Sequence, residues 1–120
     1  MDLDAKALDE IWNKGIPKKG YDSNLIRQDA CGAWILKEAF AKTDNDFAWD
    51  IDYILPKSLG GDERMENLRP MNRMNVVSKG NDYPEYYSAL QANGSNNIES
   101  RTLHIVNEKM QEILKSLYKI

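Results

Sequence analysis

Trp49-Asp50-Ile51-Asp52-Tyr53-Ile54-Leu55-Pro56-Lys57-Ser58-Leu59-Gly60-Gly61-Asp62-Glu63-Arg64-Met65-Glu66-Asn67-Leu68-Arg69-Pro70-Met71-Asn72-Arg73-Met74-Asn75-Val76-Val77-Ser78-Lys79-Gly80 decides the fold. It opens with an alternating run that stops at Pro56 and turns at Gly60-Gly61. It resumes at Asn67-Leu68-Arg69 and becomes a short helix closed by Gly80, so the order is strand, loop, strand, helix. Strict alternation places Trp49, Ile51, Tyr53 and Leu55 on one strand face and Asp50, Asp52 and Ile54 on the other. Asp52 then sits in the most apolar part of the strand, where a carboxylate is costly unless it is paired or bound to a metal. A carboxylate there and an amide oxygen from the following helix would make a hard, oxygen-only partial site suited to magnesium or manganese. The plain alternative is a half-buried strand with solvated carboxylates and Tyr53 in the core.

Charge concentrates around the same stretch. Residues 1–55 hold seven Lys/Arg against eleven Asp/Glu, whereas residues 56–80 hold five against three. Lys57, Arg64, Arg69, Arg73 and Lys79 could form a small phosphate-facing surface, or be ordinary solvated charges. The whole chain, 120 residues with a net charge of −3, fits one domain and argues weakly against nonspecific coating of nucleic acid. Its apolar runs are too short to suggest a membrane span. The acidic start Met1-Asp2-Leu3-Asp4 lacks the features of a signal peptide, so a cytoplasmic location is expected. One cysteine, Cys31, and one histidine, His104, exclude an internal disulfide and a closed four-ligand Cys/His zinc site within one chain.

Outward from the stretch, Asp4 or Asp2 is positioned to cap a helix running to about Asn13, with Ala5, Leu8, Ile11 and Trp12 on its buried face. Asp22-Ser23-Asn24 supplies caps for a short turn containing Leu25 and Ile26, and Cys31 to Leu36 reads as a buried strand with Cys31 as a small packed residue. Beyond Gly80, Tyr83-Pro84-Glu85-Tyr86-Tyr87 reads as a helix start and Asn93 to Asn97 as a loop. A last helix is expected from about Glu99 to Tyr118. Leu103, Val106, Met110, Ile113, Leu117 and Ile120 would form a seam on it, able to pack on the N-terminal helix or to make a homodimer.

The run I-D-Y-I-L-P-x-S-x-G-G, then E-N-L-R-P, then N-x-x-x-K-G, resembles the HNH endonucleases of the ββα-metal class. Their usual wording is I-D-H-I-x-P-x-S-x-G-G, N-L-x-P and N-x-x-x-K. The likeness extends to Tyr21-Asp22 and to Arg27-x-Asp29-Ala30-Cys31-Gly32-Ala33, covering roughly residues 20–82. It implies a single α+β, HNH-like domain over 1–120. An N-terminal helix and strand (1–48) and C-terminal helices (81–120) would flank a ββα-metal hairpin plus helix (49–80).

The resemblance also implies Asp52 and Asn75 as ligands of one Mg2+ or Mn2+ ion, with no structural zinc. Asn67 would brace the hairpin loop, and Lys79 would steady the helix end or touch phosphate. Lys57, Arg69 and Arg73 join Lys79 as the expected contacts to nucleic acid, DNA rather than RNA, and no membrane partner is expected. Tyr53 stands where the family has the histidine that deprotonates the attacking water. A tyrosine is only about a thousandth phenolate at pH 7, a shortfall of about 4 kcal/mol. Two function classes follow: a divalent-metal endonuclease slowed by Tyr53, or an inactive module of the same fold that binds nucleic acid or a protein. An acidic decoy of nucleic-acid-binding proteins is a third reading, resting on charge alone.

Overall fold

The computed structural model describes residues 3–120, and Asp2, one of the two expected helix caps, lies outside them. Helix α1 spans Ala5–Trp12, and the Asp4 carboxylate accepts the Ala7 N–H at 2.8 Å, the geometry of an N-cap. Two short strands follow, β1 (Ile26–Gln28) and β2 (Trp34–Leu36), paired antiparallel. The expected strand from Cys31 is shorter than its apolar run. Cys31 to Ala33 instead wrap around Asp29, whose Oδ1 accepts the N–H groups of both Cys31 and Ala33 at 2.9 Å.

The deciding stretch forms strand β3 (Trp49–Tyr53), strand β4 (Leu68–Asn72) and helix α2 (Arg73–Lys79). β3 and β4 pair antiparallel, with Trp49 opposite Asn72 and Tyr53 opposite Leu68. The long loop between them holds its shape through Asn67. The Asn67 amide oxygen accepts the Leu55 N–H at 2.7 Å, and its nitrogen donates to the carbonyls of Leu55 and Asp62, both at 3.0 Å. Asn72 caps α2 by accepting the Met74 N–H at 3.0 Å.

This hairpin separates two hydrophobic clusters. On one side Ile11, Trp12, Ile35, Trp49 and Leu68 pack together, with the Trp12 and Trp49 rings 5.5 Å apart. On the other, Cys31, Ile54, Leu55, Met71, Tyr86, Val106 and Leu114 form the second. Asp52 faces this second side.

The C-terminal part differs from the helices expected over 81–120. A long antiparallel hairpin, β5 (Glu85–Asn93) and β6 (Asn96–Ile105), precedes a single helix α3 (Glu108–Tyr118). The reason is period-two burial at the strand start. Tyr86 and Ser88 are buried while Glu85 and Tyr87 face outward, and Gly94-Ser95 closes a two-residue turn with Gly94 at φ +62°. The seam expected from Leu103 to Ile120 is therefore interrupted. Leu103 lies on the outer face of β6 at 51% exposure, and the α3 residue fully buried in the core is Leu114, which the seam did not include. The described residues thus form an α+β fold, with three α-helices and three two-stranded antiparallel sheets. No helix among the described residues is long and apolar enough to cross a membrane.

Candidate functional site

Asp52 is buried, and two cations neutralise it. Arg69, directly across the ladder, donates from Nε to Oδ2 at 2.8 Å, and the Lys79 ammonium lies 3.3 Å from Oδ1. Arg69 also donates to the Tyr86 hydroxyl at 3.2 Å, with its guanidinium 5.5 Å from the centre of that ring. Lys79 reaches back from the last turn of α2 to donate to the carbonyls of Tyr53 and Ile54 at 3.0 and 3.1 Å, fixing the end of β3. Burial pushes the Lys79 ammonium below its ordinary value, against the opposing pull of Asp52. For Arg69 burial also works against the charge, but the Asp52 carboxylate more than offsets it and holds the guanidinium above its ordinary value.

Asn75 is also buried, in a different network. Its Oδ1 accepts the N–H groups of Ala89 and Leu90, both at 2.8 Å, and its Nδ2 donates to Asp29 Oδ2 at 3.1 Å and to the Leu90 carbonyl at 3.2 Å. Asn75 thus pins β5 to α2. Both acceptor sites on its oxygen are occupied, so it has no lone pair left for a cation.

β3 stays regular through residue 53, so Asp52 and Tyr53 point to opposite faces. The Tyr53 hydroxyl lies 3.4 Å from Glu63 Oε1, and the Lys57 ammonium sits 5.0 Å from the ring centre. Burial and the negative charge of Glu63 raise the phenol above its ordinary pKa. That is the wrong direction for a base at neutral pH.

The four cations expected to meet nucleic acid are not gathered on one surface. Arg69 and Lys79 are committed to Asp52. Lys57, beyond the Tyr53 end of the hairpin, pairs with Glu63 at 3.4 Å. Arg73 lies past the opposite end and donates to the Lys42 carbonyl at 3.2 Å. A five-residue ladder separates the two ends by about 14 Å.

A divalent ion does not fit this arrangement. Asp52 and Asn75 share no partner, a metal ion at Asp52 would be a third cation facing Arg69 and Lys79, and the Asn75 oxygen is saturated. Among the described residues no three His, Cys, Asp or Glu side chains come together as a metal-binding group. His104, on β6, stacks on Tyr86 with its Nε2 2.9 Å from Ser88 Oγ, and burial lowers its pKa.

Two residues central to these networks carried little weight in the sequence. Asp29 collects four hydrogen bonds, from Cys31, Ala33, Asn72 and Asn75, and so ties the 31–33 turn to the start and middle of α2. The signal that points to it is an aspartate two and four residues ahead of the N–H groups it accepts, the spacing of a side-chain-stabilised turn. Tyr86 closes the Arg69 side of the ion group, and only the β5 pairing brings it there. No family model, curated protein or solved structure matches the chain.

Proposed function

We propose that the chain is a non-catalytic HNH-like module that acts by binding a partner protein. The observation that supports this reading is the Asp52–Arg69–Lys79 group. The side chain that would anchor a ββα-metal centre is neutralised internally by two basic residues of the same motif. Tyr53 and Asn75 add to it, one turned to the other strand face, the other consumed in holding β5. The order β3, β4, α2 keeps the hairpin-and-helix plan of the ββα-metal class, and the ion group takes over from a metal the task of joining helix to hairpin. Protein is preferred over nucleic acid because the basic side chains nominated for phosphate are spent on Asp52, Glu63 and a backbone carbonyl.

Nicking of supercoiled DNA with magnesium or manganese, followed from neutral to alkaline pH, tests the reading. The expected outcome is no cleavage above buffer, and none gained in Tyr53→His, because a histidine there would still face away from Asp52. Calorimetric titration with either ion should give no saturable binding. Metal-dependent nicking that increases in Tyr53→His and disappears in Asp52→Asn overturns the proposal in favour of a nuclease.

A further inference from the structure

Helix α2 carries an apolar surface that none of the described residues covers. Met74 and Val77, one turn apart, are 52% and 69% exposed, and they face a cleft of about 710 Å³ bounded by the 43–46 turn and by β6. Leu90 continues its apolar floor. Three carboxylates rim it: Asp44 and Asp46 on the turn and Glu99 on β6. Among the described residues none of the three has an ion-pair partner or accepts a hydrogen bond through its side chain, whereas Asp52, Asp62 and Glu63 of the hairpin are paired or bonded. Arg73, the cation in the wall, is turned to the Lys42 carbonyl. The cleft runs on past Ser88 and Ser100 to Arg101, whose guanidinium sits 3.7 Å over the Tyr87 ring and closes the far end.

We infer that this cleft docks an amphipathic basic segment of a partner protein, its apolar side chains on Met74, Val77 and Leu90 and its Lys or Arg side chains on Asp44, Asp46 and Glu99. Charge complementarity selects the occupant. Unpaired carboxylates around exposed apolar side chains repel nucleic acid and reward a cation carried on an apolar scaffold. The polar ring also confines the energy to the apolar floor, the pattern in which a few buried anchors decide affinity. The inference names the partner class for the module proposed above and is decided by a different measurement, since peptide binding does not depend on whether the hairpin cleaves DNA.

Fluorescence anisotropy of the full chain with a labelled synthetic peptide built from leucine and lysine tests it. Peptides in which serine replaces leucine, or glutamate replaces lysine, serve as comparisons. The leucine–lysine peptide should bind saturably and the other two much more weakly. Met74→Ser with Val77→Ser should weaken binding about tenfold or more. Asp44→Asn with Asp46→Asn should weaken it and flatten its salt dependence. All four positions are solvent-facing, so circular dichroism should show unchanged folding. Equal binding of the serine–lysine peptide, or indifference to both double variants, overturns the proposal. A dimer in sedimentation that Met74→Ser with Val77→Ser dissociates also overturns it, by assigning the cleft to a second copy of the chain.

Discussion

Removing one member of the Asp52–Arg69–Lys79 group strands charge in the interior. Asp52→Asn leaves the buried Lys79 and the half-buried Arg69 without a counter-charge, which costs about 3–5 kcal/mol by the usual cost of breaking a buried pair. Lys57→Met, which removes an exposed partner of Glu63, should leave the unfolding midpoint close to that of the unaltered chain. Urea unfolding of the two variants measures the contrast. Tyr86 adds a pH dependence. Burial raises its phenol to about 12, while Arg69 pulls the other way. An unfolded tyrosine titrates near 10, so between pH 10 and 12 the unfolded chain loses a proton that the folded chain keeps. Stability from this residue is therefore complete below pH 10 and falls as pH rises towards 12, by about 2 kcal/mol. Denaturant midpoints compared at pH 8 and pH 11 for the parent and Tyr86→Phe should show a smaller alkaline loss in the variant. At this scale the sequence stated the problem but not its solution. The cost of burying Asp52 follows from alternation alone, but choosing between a metal and a cation pair requires the register. The register puts Arg69 directly opposite Asp52, and the helix length lets Lys79 reach back from α2.

The elements divide according to how local their signals are. β3, the loop, β4 and α2 were legible because their boundaries carry local chemistry, Pro56 and the glycine pair at the turn and Gly80 as stop, while the Asn72 cap of α2 emerged only in the structure. Two neighbouring glycines show how that chemistry differs. A Cβ on Gly61 would lie 1.8 Å from the Leu55 carbonyl oxygen and 3.0 Å from Asn67 Nδ2, so Gly61→Ala must displace backbone and the residue that shapes the loop. Gly60 has φ +105° with nothing within 4 Å of the added atom, and Gly60→Ala incurs only the backbone penalty, about 1–2 kcal/mol. Gly61→Ala should therefore lower the unfolding midpoint by well over twice the Gly60→Ala effect in the same denaturant series. The β5–β6 hairpin was read as helix for a physical reason. Apolar residues three and four apart near Leu103 and Val106 imitate a helical stripe, and only tertiary contacts, Tyr86 in the core and Asn75 bonded to β5, select the strand. A bulge between Ser88 and Leu90 further blurs its alternation.

The whole molecule is two hydrophobic clusters on either side of the β3–β4 hairpin, which contributes side chains to both, and α3 belongs to the second of them. Leu114 is fully buried there, and Tyr118 at the helix end donates to Asp62 at 2.6 Å, tying α3 to the loop of the β3–β4 hairpin. This intramolecular docking uses the face of Met110, Leu114 and Tyr118, only partly the expected seam, and leaves Ile113 at 39% exposure on the rim of a cleft beside Met65 and Met110. Leu114→Ala should then cost about 2–4 kcal/mol, as for a leucine deleted from a packed core, while Ile113→Ala stays within about 1 kcal/mol. If the helix served a dimer, both losses would depend on protein concentration, because association adds to apparent stability by mass action. Unfolding curves recorded over a hundredfold range of concentration separate the cases. A constant midpoint, with the Leu114 and Ile113 variants keeping their order at every concentration, places the energy of α3 inside one chain.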